Sequence, residues 1–253
     1  MELHFPLIHY LLVCAVGLVM GIFGAILGST LFVLVPLLNF LGLPLHAAIG
    51  TAKLSVIGRE IGPILLFSRS GALRPRLVVP FTLAAVLCAH LGALWATSMD
   101  ELVLKKVVGL SMLAISLITL WKKETGLAEA AIDLTWKQDL LNLACGILIG
   151  LYTGLFGAGT NILIIFVLVY LGGNSFLQAV ATSKIPNLII CIASLPAFIV
   201  KDFVNWELGI PLTLATALGS QIGARVALRG GSRLIRFLFL ALVLSVAIAY
   251  LIR

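Results

Sequence analysis

Residues 46–67, HAAIGTAKLSVIGREIGPILLF, form an apolar run of membrane-spanning length that carries a lysine, an arginine and a glutamate inside it. A charge at the bilayer centre costs about 2.5–3.5 kcal/mol on insertion scales, so such residues need a partner or a cavity. Shifting the chain by 131 residues, without a gap, lays Gly50-Thr51-Ala52-Lys53 on Ala181-Thr182-Ser183-Lys184. The same register lays Pro80, Thr82, Leu83 and Ala84 on Pro211, Thr213, Leu214 and Ala215, and Gly92-Ala93 on Gly223-Ala224. It also pairs Gly28 with Gly159, Gly42 with Gly173 and Cys14 with Cys145. A shared PxTLA and a shared TxK in one register mark an internal repeat. The chain reads as two related halves.

Composition sets the class. Of 253 residues, 61% are hydrophobic and only 11% charged, with a mean hydropathy of +1.18. A soluble domain carries about 25% charged residues to solvate its surface. Here hydrocarbon is the solvent, so backbone polar groups must be satisfied inside helices. Long continuous apolar runs, rather than short alternating ones, exclude a transmembrane β-barrel. The expected fold is an all-α integral membrane protein within the lipid bilayer.

The net charge of +7 does not indicate nucleic acid, because the Lys and Arg residues cluster between apolar runs. Positive charge there marks the cytoplasmic side. The first apolar run lacks a basic leader, so no cleavable signal is expected. Cys14, Cys88, Cys145 and Cys191 all fall in apolar runs without CxxC or Cys/His spacing. They read as small packing residues, and neither metal nor another cofactor is expected.

Ten apolar segments emerge, at 6–26, 29–44, 46–67, 77–97 and 102–121, then 140–157, 160–172, 176–199, 208–226 and 234–252. The expected organisation is a first repeat over 1–121, a cytoplasmic linker over 122–139 and a second repeat over 140–253, forming one membrane domain. Five crossings per half place Arg69, Arg74, Arg76, Lys122, Lys123, Lys137, Arg225, Arg229, Arg233 and Arg236 on one side, against Lys105, Lys106, Lys201 and Arg253. Ten against four obeys the positive-inside rule, whereas four crossings per half give eight against six. Five crossings make the repeats inverted, with both termini outside. Segments 29–44 and 160–172 are short for a span of about 20 residues. Short segments at matching places in two inverted halves point to a transporter's binding site.

Each short segment follows a glycine-rich break, Gly24-Ala25-Ile26-Leu27-Gly28-Ser29-Thr30 and Gly154-Leu155-Phe156-Gly157-Ala158-Gly159-Thr160-Asn161. Glycine lets the chain turn within the membrane, and Ser29, Thr30, Thr160 or Asn161 is expected to cap the following helix. A helix N-terminus offers N–H groups and a positive dipole end to an anion. Close packing of small residues is the alternative reading of the same glycines. Lys53 and Lys184, with Thr51, Thr182 and Ser183, are expected near the pseudo-twofold axis, where an anion would hold two ammonium groups together. The alternative is that each lysine caps a helix end or snorkels to the interface. Glu60 reads as the partner of Arg59 or as a coupling carboxylate. His90 and Gln221, equivalent in the repeat, are candidate cavity residues, and Asn187 joins Asn161 as a candidate polar ligand.

These features resemble the sulfite exporter TauE/SafE family. The resemblance runs through Leu34-Val35-Pro36-Leu37-Leu38, Gly42-Leu43-Pro44, Ala47-Ala48-Ile49-Gly50-Thr51 and Gly154-Leu155-Phe156-Gly157-Ala158-Gly159. It continues in Ala179-Val180-Ala181-Thr182-Ser183-Lys184 and Gln221-Ile222-Gly223-Ala224-Arg225. It implies a bacterial or archaeal inner-membrane carrier for sulfite, organosulfonates or related small anions, with no catalytic chemistry. A proton or sodium ion as coupling partner and a homodimer complete the expectation. The family's triple-glycine turns are here Gly28-Ser29-Thr30 and Gly159-Thr160-Asn161, which bears on which oxyanion fits. An anion channel and a non-transporting assembly subunit are the rival readings. No HExxH, GxSxG or buried carboxylate pair supports an enzyme.

Overall fold

A computed structural model of the chain describes residues 6–28, 30–74, 78–110 and 136–251. The described residues are helical with short turns. The elements are α1 (Leu7–Leu27), α2 (Leu31–Phe40), α3 (Leu45–Arg69), α4 (Val79–Ser98), α5 (101–110), α6 (Trp136–Leu155), α7 (Thr160–Tyr170), α8 (Phe176–Val200) and α9 (Trp206–Leu251). α9 is broken at Gly231, where φ is 58° and ψ −166°, into segments 206–230 and 232–251. Ten helical segments therefore stand among the described residues, as the apolar runs predict. α6 begins at Trp136, inside the stretch assigned to the linker; 111–121 and the rest of the linker up to 135 lie outside the described residues.

The register of 131 carries into the elements. It lays α3 on α8 end to end, and α4 within the first segment of α9. The packing follows the same exchange. α1 lies against α9 as α6 lies against α4, α3 touches α9 as α8 touches α4, and α2 rests on α3 as α7 rests on α8. α3 and α8 pack on each other in antiparallel sense. Thr51 meets Asn205, Lys53 meets Ser194, Glu60 meets Asn187 and Arg74 meets Thr182.

Local sequence explains the breaks. α1 ends at Gly28 and α7 starts after Gly159, with φ of 80° and 79°. These repeat-equivalent positions occupy the left-handed region, which favours glycine. The Gly28 N–H donates to the Gly24 carbonyl at 2.9 Å, closing α1. α2 and α7 hold only 10 and 11 residues, about half the length a span needs.

α1, α4 and α8 are long and apolar enough to cross a membrane. α3 matches α8 in length, 25 residues each, and holds Lys53, Arg59 and Glu60 on its buried surface. Leu83, Leu87 and Leu91 of α4 and their equivalents Leu214, Leu218 and Ile222 of α9 are exposed. Two such stripes suit lipid rather than water.

Glycines bring the halves together. On α6, Gly146, Gly150 and Gly154 recur every four residues and face α4. A Cβ on Gly150 would lie 2.4 Å from the Ala85 carbonyl oxygen and 2.6 Å from its Cα. Small residues allow this backbone approach, and packing of this kind holds helices together where water supplies no hydrophobic drive. Gly150→Leu is expected to cost about 1–3 kcal/mol or more through overpacking, read as a lowered melting temperature in detergent. Gly109→Ala, with nothing within 4 Å of its new Cβ, should leave that temperature unchanged.

Candidate functional site

Lys53 is 1% exposed and Lys184 fully buried, so neither snorkels. Each closes the end of a helix from the opposite half. The Lys53 ammonium donates to the Thr153 and Gly154 carbonyls, at 2.5 and 3.1 Å, in the last turn of α6. It also donates to Ser194 Oγ at 3.2 Å and lies 5.2 Å from the centre of the Phe198 ring. The Lys184 ammonium donates to the Gly24 carbonyl, 2.8 Å away, in the last turn of α1. The last carbonyls of a helix lack intrahelical donors and carry the negative end of its dipole, which suits an ammonium.

Beside these lysines the two glycine breaks converge. A Cβ on Gly28 would strike the Asn161 side chain at 2.4 Å. α2 and α7 therefore start next to each other. Thr30 and Gly159 precede them, and neither makes a side-chain cap bond. This corrects the expectation of hydroxyl or amide caps. Thr30 Oγ1 accepts from Arg59, Thr160 Oγ1 donates to the Gly157 carbonyl at 2.9 Å, and Asn161 turns toward α8. With its amide oriented to suit its neighbours, Asn161 donates to Ser183 Oγ at 2.9 Å and accepts from Lys184 at 3.2 Å. Ser29 lies outside the described residues.

Arg59 and Glu60 form a buried pair. Arg59 Nε donates to Glu60 Oε1 at 3.1 Å, and Nη2 bonds the same oxygen. Asn187 Nδ2 donates to it at 2.7 Å. The second oxygen, Oε2, has no hydrogen-bond partner and lies 3.6 Å from the Lys184 ammonium. One carboxylate is thus shared by two cations. Lys53, Arg59, Lys184 and Glu60 are four buried ionisable side chains in this one region. Three positive charges against one negative leave a formal excess of two in a low-dielectric interior, a costly arrangement without a further anion.

A small cavity lies at this point. Its walls are Gly28, Thr30 and Leu31 at the start of α2, Gly157 and Gly159 before α7, and Lys53, Val56, Arg59, Thr153, Asn187 and Cys191. It has room for about one water. An oxyanion would need the side chains to part. Lys184 faces Glu60 instead of lining this space. The repeat suggested that both ammonium groups face one cavity; of the two, Lys53 walls this one.

The remaining expected residues sit elsewhere. Thr51 Oγ1 accepts from the Asn205 backbone N–H, and Thr182 Oγ1 from that of Arg74, both at 2.9 Å. These are repeat-equivalent ties between α3 or α8 and the turn before the opposite half's fourth helix; they do not wall the cavity. Ser183 Oγ donates to the Val180 carbonyl. His90 is exposed with its ring against the Ala193 carbonyl, and Gln221 fills the α3–α9 contact at Gly62. Neither lines the cavity. Sequence reading missed Thr153, Ser194 and Cys191, although the register already places Cys191 opposite Glu60.

Comparison with known proteins adds an independent line. The family model described as "Sulfite exporter TauE/SafE" matches residues 13–250. A "Probable membrane transporter protein" of Haemophilus influenzae is 31% identical over 225 residues, covering 87% of this chain and 86% of its own. "Probable membrane transporter protein ORF9" of a Sinorhizobium species is 29% identical over 250 residues, covering 99% and 94%. "Probable membrane transporter protein YfcA" of Escherichia coli strain K12 is 25% identical over 224 residues, covering 87% and 81%. No solved structure matches the chain.

Removing the shared carboxylate strands Arg59 and Lys184. Glu60→Gln is expected to destabilise the protein by about 3–5 kcal/mol, the cost of breaking a buried ion pair from one side. Thermal unfolding in detergent measures it, and Glu60→Asp should recover part of the loss.

Proposed function

The chain belongs to the sulfite exporter TauE/SafE family, and from that premise we propose that it carries a small oxyanion, sulfite or an organosulfonate, by alternating access. As a member it is a multi-pass membrane transporter and not an enzyme. The observation that carries the anion reading is the buried excess of positive charge where the two short helices begin. Lys53 and Arg59 supply full charges, and the uncapped starts of α2 and α7 supply N–H groups and dipole ends. An anion in the cavity offsets charge that the protein leaves unbalanced.

The two halves are read as inverted repeats. The antiparallel pairing of α3 with α8 supports this, as does the ten-to-four charge bias that puts both termini outside. In that topology the ties Thr51–Asn205 and Thr182–Arg74 lie toward opposite membrane faces. Opening the site to one side releases one tie while the other holds, which gives alternating access a physical latch at each face.

The rival readings fit less well. A channel needs a continuous path, whereas the cavity at the start of the short helices has room for about one water. An assembly subunit would offer the lysines to a partner's acids, whereas Lys53 and Lys184 are committed to carbonyls within this chain.

Proteoliposomes holding the purified protein are expected to take up labelled sulfite saturably, with sulfate, thiosulfate and taurine tested as competitors. Uptake should collapse in the Lys53→Ala, Lys184→Ala double variant. Lys53→Gln, which keeps a donor for the α6 carbonyls and removes the charge, should lose at least about thirtyfold, the effect of about 2 kcal/mol. Wild-type uptake by these variants, at normal expression and insertion, would sink the proposal.

A further inference from the structure

Glu60 and Cys191 stand at equivalent positions of the two halves, 131 residues apart. Their surroundings are equivalent too. Glu60 faces Lys184, its Oε2 lying 3.6 Å from the ammonium, and Cys191 walls the cavity together with Lys53. Lys53 and Lys184 are themselves a repeat pair, each closing the first helix of the opposite half. One of the two equivalent places between the halves thus holds an ammonium with a carboxylate beside it. The other holds an ammonium with a thiol and a small space.

From this broken symmetry we infer that the fold contains two equivalent anion half-sites, that Glu60 is a resident carboxylate filling one, and that the transported oxyanion takes the other. Its place is between Lys53 and Cys191, against the starts of α2 and α7. The inference rests on the anion reading above and sharpens it. The transporter carries one oxyanion per cycle, and Lys53 is its charge partner. Lys184 belongs with Glu60 and Arg59 in an internal cluster in which one carboxylate serves two cations.

Three features support the assignment. Lys53 makes three hydrogen bonds to neutral oxygens and, among the described residues, has no carboxylate partner. Arg59 reaches both regions, since it bonds Glu60 and also walls the cavity. Cys191 is 4% exposed, and carries no charge to compete with a bound anion unless its thiol ionises. A glutamate there would reproduce, in the second half, the contact that Glu60 makes with Lys184 in the first.

The test places that carboxylate. Cys191→Glu is compared with Cys191→Gln, of equal size and no charge, and the smaller pair Cys191→Asp and Cys191→Asn repeats the comparison if the larger side chains impair folding. Two readouts are taken on the full chain, melting temperature without added anion and labelled sulfite uptake in proteoliposomes. The acid variant is expected to melt several degrees above its amide and to take up sulfite at least tenfold more slowly. An acid that melts no higher than its amide overturns the half-site. Equal uptake by the two also overturns it, since bulk and not charge would then be acting. If the acid melts higher yet wild-type protein takes up no sulfite, the half-site stands and the sulfite reading falls.

Discussion

The ammonium groups of Lys53 and Lys184, each bonded to the last carbonyls of a helix in the opposite half, are the contacts on which the rest of the structure turns. A helix that ends inside a membrane leaves carbonyls that water cannot reach. α1 and α6 both end this way, because the chain must break before the short helices α2 and α7. A lysine from the other half satisfies each end. The broken helices and the buried lysines therefore meet, and each half's first helix ends on a lysine of the other.

That reciprocity explains the rest of the packing. α1 must lie close to α8, and α6 close to α3, for the lysines to reach. Glycines on α6 and α9 fix these first helices against α4 and α9 by letting carbonyl oxygens of α4 and α1 come into contact. The starts of α2 and α7 then fall beside each other, and their dipoles add positive potential to a region already holding Lys53 and Arg59. One carboxylate, Glu60, offsets part of it. The excess follows from how the helix ends are satisfied, and the proposed anion site is the use we assign to it.

Much of this was legible in the residues. Apolar runs gave the segments to within a few positions, and the shared TxK and PxTLA gave the register that α3 and α8 obey from end to end. The lysines stood out because charge within a span is costly. Their alternative reading as helix caps describes their contacts, while the functional reading remains attached to Lys53 through the cavity. The threonines of the same motif were harder. A buried hydroxyl in a site region reads as a ligand, yet Thr51 and Thr182 each accept from a backbone N–H of a distant turn. The candidate caps misled for a related reason, since Thr30 found a stronger donor in Arg59.

The sequence by itself determined the membrane class, the helical segments and the internal repeat, because hydropathy, glycine breaks and register are properties of residues along the chain. It also singled out the ionised residues that the interior must accommodate. Only the tertiary structure decided which partner each one takes. Lys184 faces Glu60, and Lys53 meets Ser194 and shares the cavity wall with Cys191, because α3 and α8 pack antiparallel, bringing together side chains more than a hundred residues apart. Periodicity fixes the face a residue occupies on its own helix. It does not say what the other helix places opposite, and at this site that decides which lysine has a carboxylate beside it and which has only neutral oxygens.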